Sequence, residues 1–399
     1  MILKGQNFRV LTITGNKATC IGKSTNCTVT LTNNTSDAST KDDVGIASKP
    51  TVDSKSWSVS VESLNTVDAG RLLSMMKNMT PLTLMWDIVS ESDNQSPEGA
   101  DLCRMGSAFL SDVTFNWNDR ENSTKSLQFV GSGPLEQVSS SLVPVVYEPT
   151  GNYTKGQFVR LFLSKTSTPD RVIAAAKNLS LHCSLTMENA TSKDTPGDYQ
   201  IQEPTALNYE ITTSAMVYSA EPITSTVGAM RASDLEEIYE DGTPINFAIA
   251  NVGGDNQRTK LLTIIKGQVT LTQLTVQGPN RQNATYEAQL SGYNMYETMS
   301  VQTNFPLPIT QADLYEFDNP TLTFVDAVNV NLIADFLKIT YESGSETHEA
   351  GMTTTGPEVI VDAGGDTMFS IAASGQSSSA VWNISPNTSG GPTWLNFSL

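Results

Sequence analysis

The side chains best able to do chemistry in this 399-residue chain are four cysteines (Cys20, Cys27, Cys103, Cys183) and two histidines (His182, His348). No two cysteines form a CxxC pair, and neither histidine has a sequence neighbour that marks a metal-ligand or nucleophile pattern. No P-loop and no glycine-rich dinucleotide motif is present. Cys27 and Cys183 fall at inward positions of strand-like segments, where a thiol behaves as a small apolar group. The expectation is therefore of a non-enzyme with no cofactor and no metal. The formal charge of −18 argues against a protein that coats nucleic acid or lies on a membrane, because neutralising phosphate needs Lys and Arg. It does not argue against a surface that DNA passes without sticking.

The elements behind these residues come in two sets. Lys4-Gly5-Gln6 with Arg9 recurs as Lys155-Gly156-Gln157 with Arg160. Cys27-Thr-Val-Thr-Leu-Thr-Asn33 is matched to Cys183-Ser-Leu-Thr-Met-Glu-Asn189, and Ser56–Val61 to Asn208–Thr213. Thr80-Pro81 recurs as Thr243-Pro244, and Asp119-Arg120-Glu121-Asn122 as Asn280-Arg281-Gln282-Asn283, each turn ahead of a strand ending at Gly131 or Gly292. The order is kept throughout, and the spacing drifts as small loop insertions would make it drift. Each copy reads as strands at 26–33 and 56–64, a long polar loop from Asn34 to Lys55, and a helix Ala69–Lys77 capped by Asp68. Strands at Leu82–Ile88, 107–117 and 125–131 follow. In the second copy the matching loop spans Ala190–Leu207, and Ser233 is the expected cap of a shorter helix ended by Asp241-Gly242. The fold class is mainly β: two tandem sandwich or half-barrel domains, each with a flanking helix, over 1–148 and 149–304.

This order of elements, the opening Lys-Gly-Gln-Asn-Phe-Arg-Val segment and the Asp119–Asn122 turn resemble the tail tube family of long-tailed phages, in its duplicated-domain form. The resemblance covers residues 1 to about 300. It implies a β-sandwich with a flanking helix, and homotrimers whose six domains imitate a hexameric ring. It further implies stacking into a tube in the virion tail, assembly in the host cytoplasm, and partners such as the tape measure and tail terminator proteins.

A tube needs a wall, and strand alternation supplies a candidate. Thr28 and Thr30, then Ser58, Ser60 and Glu62, then Asp112, Thr114 and Asn116 oppose apolar neighbours. So do Ser184, Thr186 and Glu188, then Glu210 and Thr212. These faces lack Lys and Arg, whereas ordinary outer faces mix both signs. They are the expected lining of a lumen that conducts DNA without binding it. The charged tips of the two polar loops (Lys41, Asp42, Asp43 and Lys193, Asp194) are the expected contacts between rings.

From Pro306 the composition shifts, with eleven acids against the single base Lys338 in residues 301–399. The segments Ala363–Ile371, Trp382–Ser385 and Trp394–Ser398 loosely resemble the end of the BACON class of Ig-like domains. That implies a decorating Ig-like β domain over 305–399, with glycan contact as a potential use. The N-terminus has no signal-peptide pattern and no apolar run long enough to span a bilayer. This weighs against a secreted adhesin, the main rival. A capsid decoration or tail-completion protein is the other.

Overall fold

The computed structural model describes residues 8–14, 17–21, 24–42, 48–64, 69–88, 103–138, 145–147, 155–165, 171–173, 175–195, 197–217, 229–251, 261–279 and 283–296, with short strands in the C-terminal region. The fold is mainly β. The first copy runs β1 (Phe8–Thr14), β2 (Lys17–Cys20), β3 (Ser24–Asp37), β4 (Pro50–Leu64), α1 (Ala69–Lys77), β5 (Leu82–Ile88), β6 (Arg104–Asn118), β7 (Thr124–Gln137) and β8 (Val145–Tyr147). The second runs β9 (Val159–Ser164), β10 (Arg171–Ile173), β11 (Ala176–Asn189), β12 (Gln202–Met216), β13 (Ala229–Met230), α2 (Ala232–Asp241), β14 (Ile245–Asn251), β15 (Leu261–Pro279), β16 (Thr285–Tyr296) and β17 (Val301–Gln302). After these come β18 (Thr321–Val325), β19 (Val330–Ile333), β20 (Phe336–Glu342), β21 (Met368–Ser374) and β22 (Trp394–Ser398).

The two copies share the registers of their main ladders. Val10 pairs with Trp86 between β1 and β5, as Leu161 pairs with Ile249 between β9 and β14. Val61 pairs with Leu127 between β4 and β7, as Thr213 pairs with Ala288 between β12 and β16. A bulge sits between Leu110 and Asp112 in one copy and between Leu271 and Gln273 in the other. The bulged residues, Ser111 and Thr272, each donate a hydroxyl to a carbonyl on the facing strand, that of Gln128 or Gln289, at 3.1 Å. Trp57 lies against Gly131, whose added Cβ would stand 2.1 Å from the indole, and Tyr209 lies the same way against Gly292 at 1.6 Å. In both copies an aromatic ring takes the space that any side chain on the facing strand would fill.

The strand–loop boundaries differ from the sequence expectation. β3 runs on to Asp37 and β4 starts at Pro50, so both ends of the expected loop are paired strand; in the second copy β12 starts at Gln202, inside the expected loop, while β11 ends at Asn189 just before it. The tips also correct the alignment of the repeat. Ala38 N–H donates to Lys49 O as Ala190 N–H does to Ile201 O. Asp37 Oδ1 accepts from Ser39 N–H as Asn189 Oδ1 does from Thr191 N–H. Leu31 therefore matches Cys183, and Cys27 matches Leu179, rather than cysteine matching cysteine. A strand pattern of period two is satisfied by any even slip, so the faces assigned from sequence survive the change.

Helix α1 has the expected bounds and buries Leu72, Leu73 and Met76; its expected cap, Asp68, lies outside the described residues. In α2 the cap is Arg231, not Ser233. Asp234 accepts from the Arg231 backbone N–H at 2.8 Å and from its guanidinium at 3.1 Å, so the carboxylate holds the first turn where a serine was expected to. Gly242 ends α2 at φ 59°, a left-handed conformation that glycine adopts without strain.

The chain forms two compact units, neither a continuous stretch of sequence. One comprises Met1–Asn116, Asn122–Thr154 and His182–Asn208; the other comprises Trp117–Glu121, Lys155–Leu181 and Tyr209–Leu399. The first core gathers Trp57, Val59, Val61, Leu84, Val113, Phe115 and Phe129. It also encloses Arg9 and Asp87, which face each other on β1 and β5 in a bidentate pair at 2.8 and 2.7 Å. The second core gathers Leu161, Leu163, Ile211, Phe247, Val269, Leu274 and Tyr286. There Ala250 stands opposite Arg160 where the first copy has its aspartate, and desolvation lowers the pKa of Arg160 against the raising influence of Asp119. In the C-terminal region, β18 pairs with β19 and β22, while β20 and β21 pair with each other and β20 with β15.

Candidate assembly surface

The candidate wall residues of the first unit lie on one face. Ladder registers place Thr28 beside Ser60, Ser60 beside Gln128 and Gln128 beside Asp112; Asp112 Oδ2 then meets His182 Nε2 at 2.6 Å. The next row runs Glu62, Ser126, Thr114, and Thr30 pairs with Ser58 on the other side. Asn116 pairs with Thr124 on the same face. Ser184, Thr186 and Glu188 continue the alternation of His182 on β11. All of these are exposed or half-buried, while Cys183 and Leu185 between them are buried. In the second unit Glu210 pairs with Ser291, and Thr212 with Gln289. β15 and β16, to which the sequence reading assigned no wall residues, add Gln273 and Glu287, and also the half-buried Lys266. His182 and Asp112, far apart in sequence, could not be paired without the strand order.

The loop candidates divide. Lys41 and Asp42 are exposed in a turn, and Asp43 lies outside the described residues. Lys193 and Asp194 are exposed at the β11–β12 tip. The remainder of that tip is occupied within the first unit. Lys55 N–H donates to Asp198 O at 2.7 Å, Gln200 N–H to Lys55 O at 2.9 Å and Gly133 N–H to Gln200 O at 2.9 Å. Ser132 Oγ and the Gln202 backbone exchange hydrogen bonds at 3.1 and 3.0 Å. Asp198–Gln202 is thus bound to β4 and β7 of the same chain, while Lys193 and Asp194 stay exposed at the tip.

Beside the tip, β6 pairs with β11. A second contact between the repeats lies inside the other unit. The turn after β6 donates Asp119 N–H to Lys177 O at 2.8 Å and accepts Gly156 N–H at Glu121 O at 2.9 Å. A Cβ on Gly156 would stand 2.1 Å from Asn118 O. The glycine of the repeated Lys-Gly-Gln motif is needed because the first copy's turn lies on it.

The first copy's own hairpin has no such cover. Among the described residues β3 is laddered with β4 alone, and Leu31 is 63% exposed where its counterpart Cys183 is 0% exposed. Val29 and Cys27 are half-buried, where their counterparts Leu181 and Leu179 are buried. The half-burial of Cys27 corrects its expected place in the core. Desolvation raises the pKa of Cys27, Cys103 and Cys183, which disfavours the reactive thiolate at each.

Among the described residues no group of three or more His, Cys, Asp or Glu could hold a metal ion. A cavity of about 220 Å³ is lined by Lys165, Arg171, Asp234 and Glu237 among others. Its charges answer one another, Lys165 with Glu237 at 3.1 Å and Arg171 with Asp234 at 3.4 Å.

No family model matches the chain, and no curated protein matches it. Among solved structures it is similar to the tail of an empty GTA particle refined with C6 symmetry, at 14% identity and a TM-score of 0.27, over 38% of this chain and 99% of that one. A TM-score that low is no basis for assigning fold or function.

Proposed function

We propose that the chain is a structural, non-enzymatic subunit of a phage tail tube, three copies closing a ring that imitates six-fold symmetry. The observation that carries this reading is the pairing of β6 with β11, together with a β3 that among the described residues is laddered with β4 alone. The copies meet through a first-copy edge and a second-copy hairpin. The complementary pair is the first-copy hairpin and the second-copy β15 edge, which the ring reading joins between chains. Such a heterologous contact closes into a ring when its rotation divides the circle. The internal junction is tethered and forms at high effective concentration; the junctions between chains follow.

The matched positions specify the second junction. Thr30 takes the place of His182 and Gln273 that of Asp112, so a neutral pair replaces the acid–imidazole contact. Pro50 takes the place of Gln202 and has no N–H to give. The two junctions are alike in topology and different in chemistry. The wall of Thr, Ser, Gln and acid side chains, with few cations, would keep DNA hydrated and moving. Stacked rings would make the tube in the virion tail, built in the host cytoplasm beside tape measure and terminator proteins. The C-terminal region would sit outside, where glycans are its potential contact. Electron microscopy of the purified chain tests the reading: rings or stacked rings support it, and dispersed monomers at every concentration contradict it.

A further inference from the structure

Strands β6 and β15 are the same strand in the two copies, and the same stretch of each is covered on the same side by different segments. On β6 the second half, Asp112–Asn118, lies beside β11. Since Ser111 matches Thr272 and the two bulges coincide, the counterpart of that half is Gln273–Pro279. This stretch is laddered antiparallel with β20, from Gln273 opposite Glu342 to Pro279 opposite Phe336. β14 covers only the earlier part of β15, and β21 closes the far edge of β20. The seat that the ring reading assigns to β3 of another copy is therefore filled by this chain's own C-terminal strand.

We propose that β20 is an edge cap. It occupies the β15 edge in the isolated chain, and β3 of the next copy displaces it as the ring closes. The proposal rests on the ring reading above. Two bare complementary edges on one chain would polymerise wherever chains meet; covering one makes joining conditional. The exchange is of one strand for another against the same backbone, so the ladder is conserved. What tips it is the burial gained by Cys27, Val29 and Leu31, the positions whose counterparts on β11 are buried. Strand β21, paired to β20, would leave with it.

The test uses the full chain carrying Gln277→Cys with Lys338→Cys, two positions directly opposite in the β15–β20 ladder. Reduced, this chain should form rings as the wild type does; oxidised, with an unchanged melting temperature, it should stay monomeric and regain assembly on reduction. The full-chain variant Ile339→Pro, which breaks the middle of β20, should assemble at a lower protein concentration than wild type. Amide hydrogens of 336–342 should be protected in the monomer and exchange in rings, with those of β3 doing the reverse. Rings from the oxidised chain at wild-type yield, or no gain from Ile339→Pro, would overturn the cap and leave the ring reading standing. Failure of wild-type, reduced and Ile339→Pro chains alike to associate would overturn both.

Discussion

Replacing Leu31 should separate assembly from folding. Its side chain is 63% exposed in the isolated chain, and the matched Cys183 is 0% exposed at the internal junction. Full burial of a leucine is worth about 1.5–3 kcal/mol, so closing a junction over the exposed part of Leu31 contributes about 1–2 kcal/mol. Leu31→Ala should therefore weaken each junction by roughly 5- to 30-fold. Leu31→Asp should go further, because an unpaired carboxylate would have to be desolvated at a cost of several kcal/mol, and ring formation should cease. The isolated chain should melt as before, within about 0.5 kcal/mol, since the site is on its surface. Sedimentation velocity across a concentration series measures the first effect and thermal unfolding the second. Rings from Leu31→Asp at the wild-type concentration would show that β3 is not where chains meet.

Three further outcomes follow from the matched junctions. Gly156→Ala should lower stability by about 3 kcal/mol or more in thermal unfolding, because its Cβ would meet the Asn118 backbone at 2.1 Å; unchanged unfolding would show that the turn does not rest on this glycine. Thr30→Cys with Gln273→Cys should link chains by disulfide in assembled material, with a covalent trimer as the largest closed species on a non-reducing gel; no linkage in preformed rings would refute the register. Ser60→Lys with Glu62→Lys should leave rings intact and slow DNA ejection from particles carrying them, measured by dye release; unchanged ejection would argue that this face is not the wall.

The strand faces were legible because alternation of Val, Trp and Phe with Thr, Ser and acids survives in β4 and β6. The hairpin lengths were not: Thr32–Asp37 contains no apolar residue, and a strand with both faces wet looks like a loop until its partner is known. The mis-slipped alignment at Cys27 has the same root, since period two cannot choose between even offsets. The cap of α2 was missed because Asp234 works backwards onto Arg231, a role that a search for Ser or Thr overlooks. The site itself was legible as a face and not as a junction. Neither the contact of Asp112 with His182 nor the dependence of Gly156 on the Asn118 turn can be read without the strand order that brings the copies together.

Cryo-electron microscopy of the assembled chain tests the central claim most directly. The account predicts three chains per ring, β3 of each seated along Gln273–Pro279 of the next, and Ser60, Glu62, Asp112 and Thr212 facing the lumen. Six chains per ring, or the same residues on the outer surface, would contradict it.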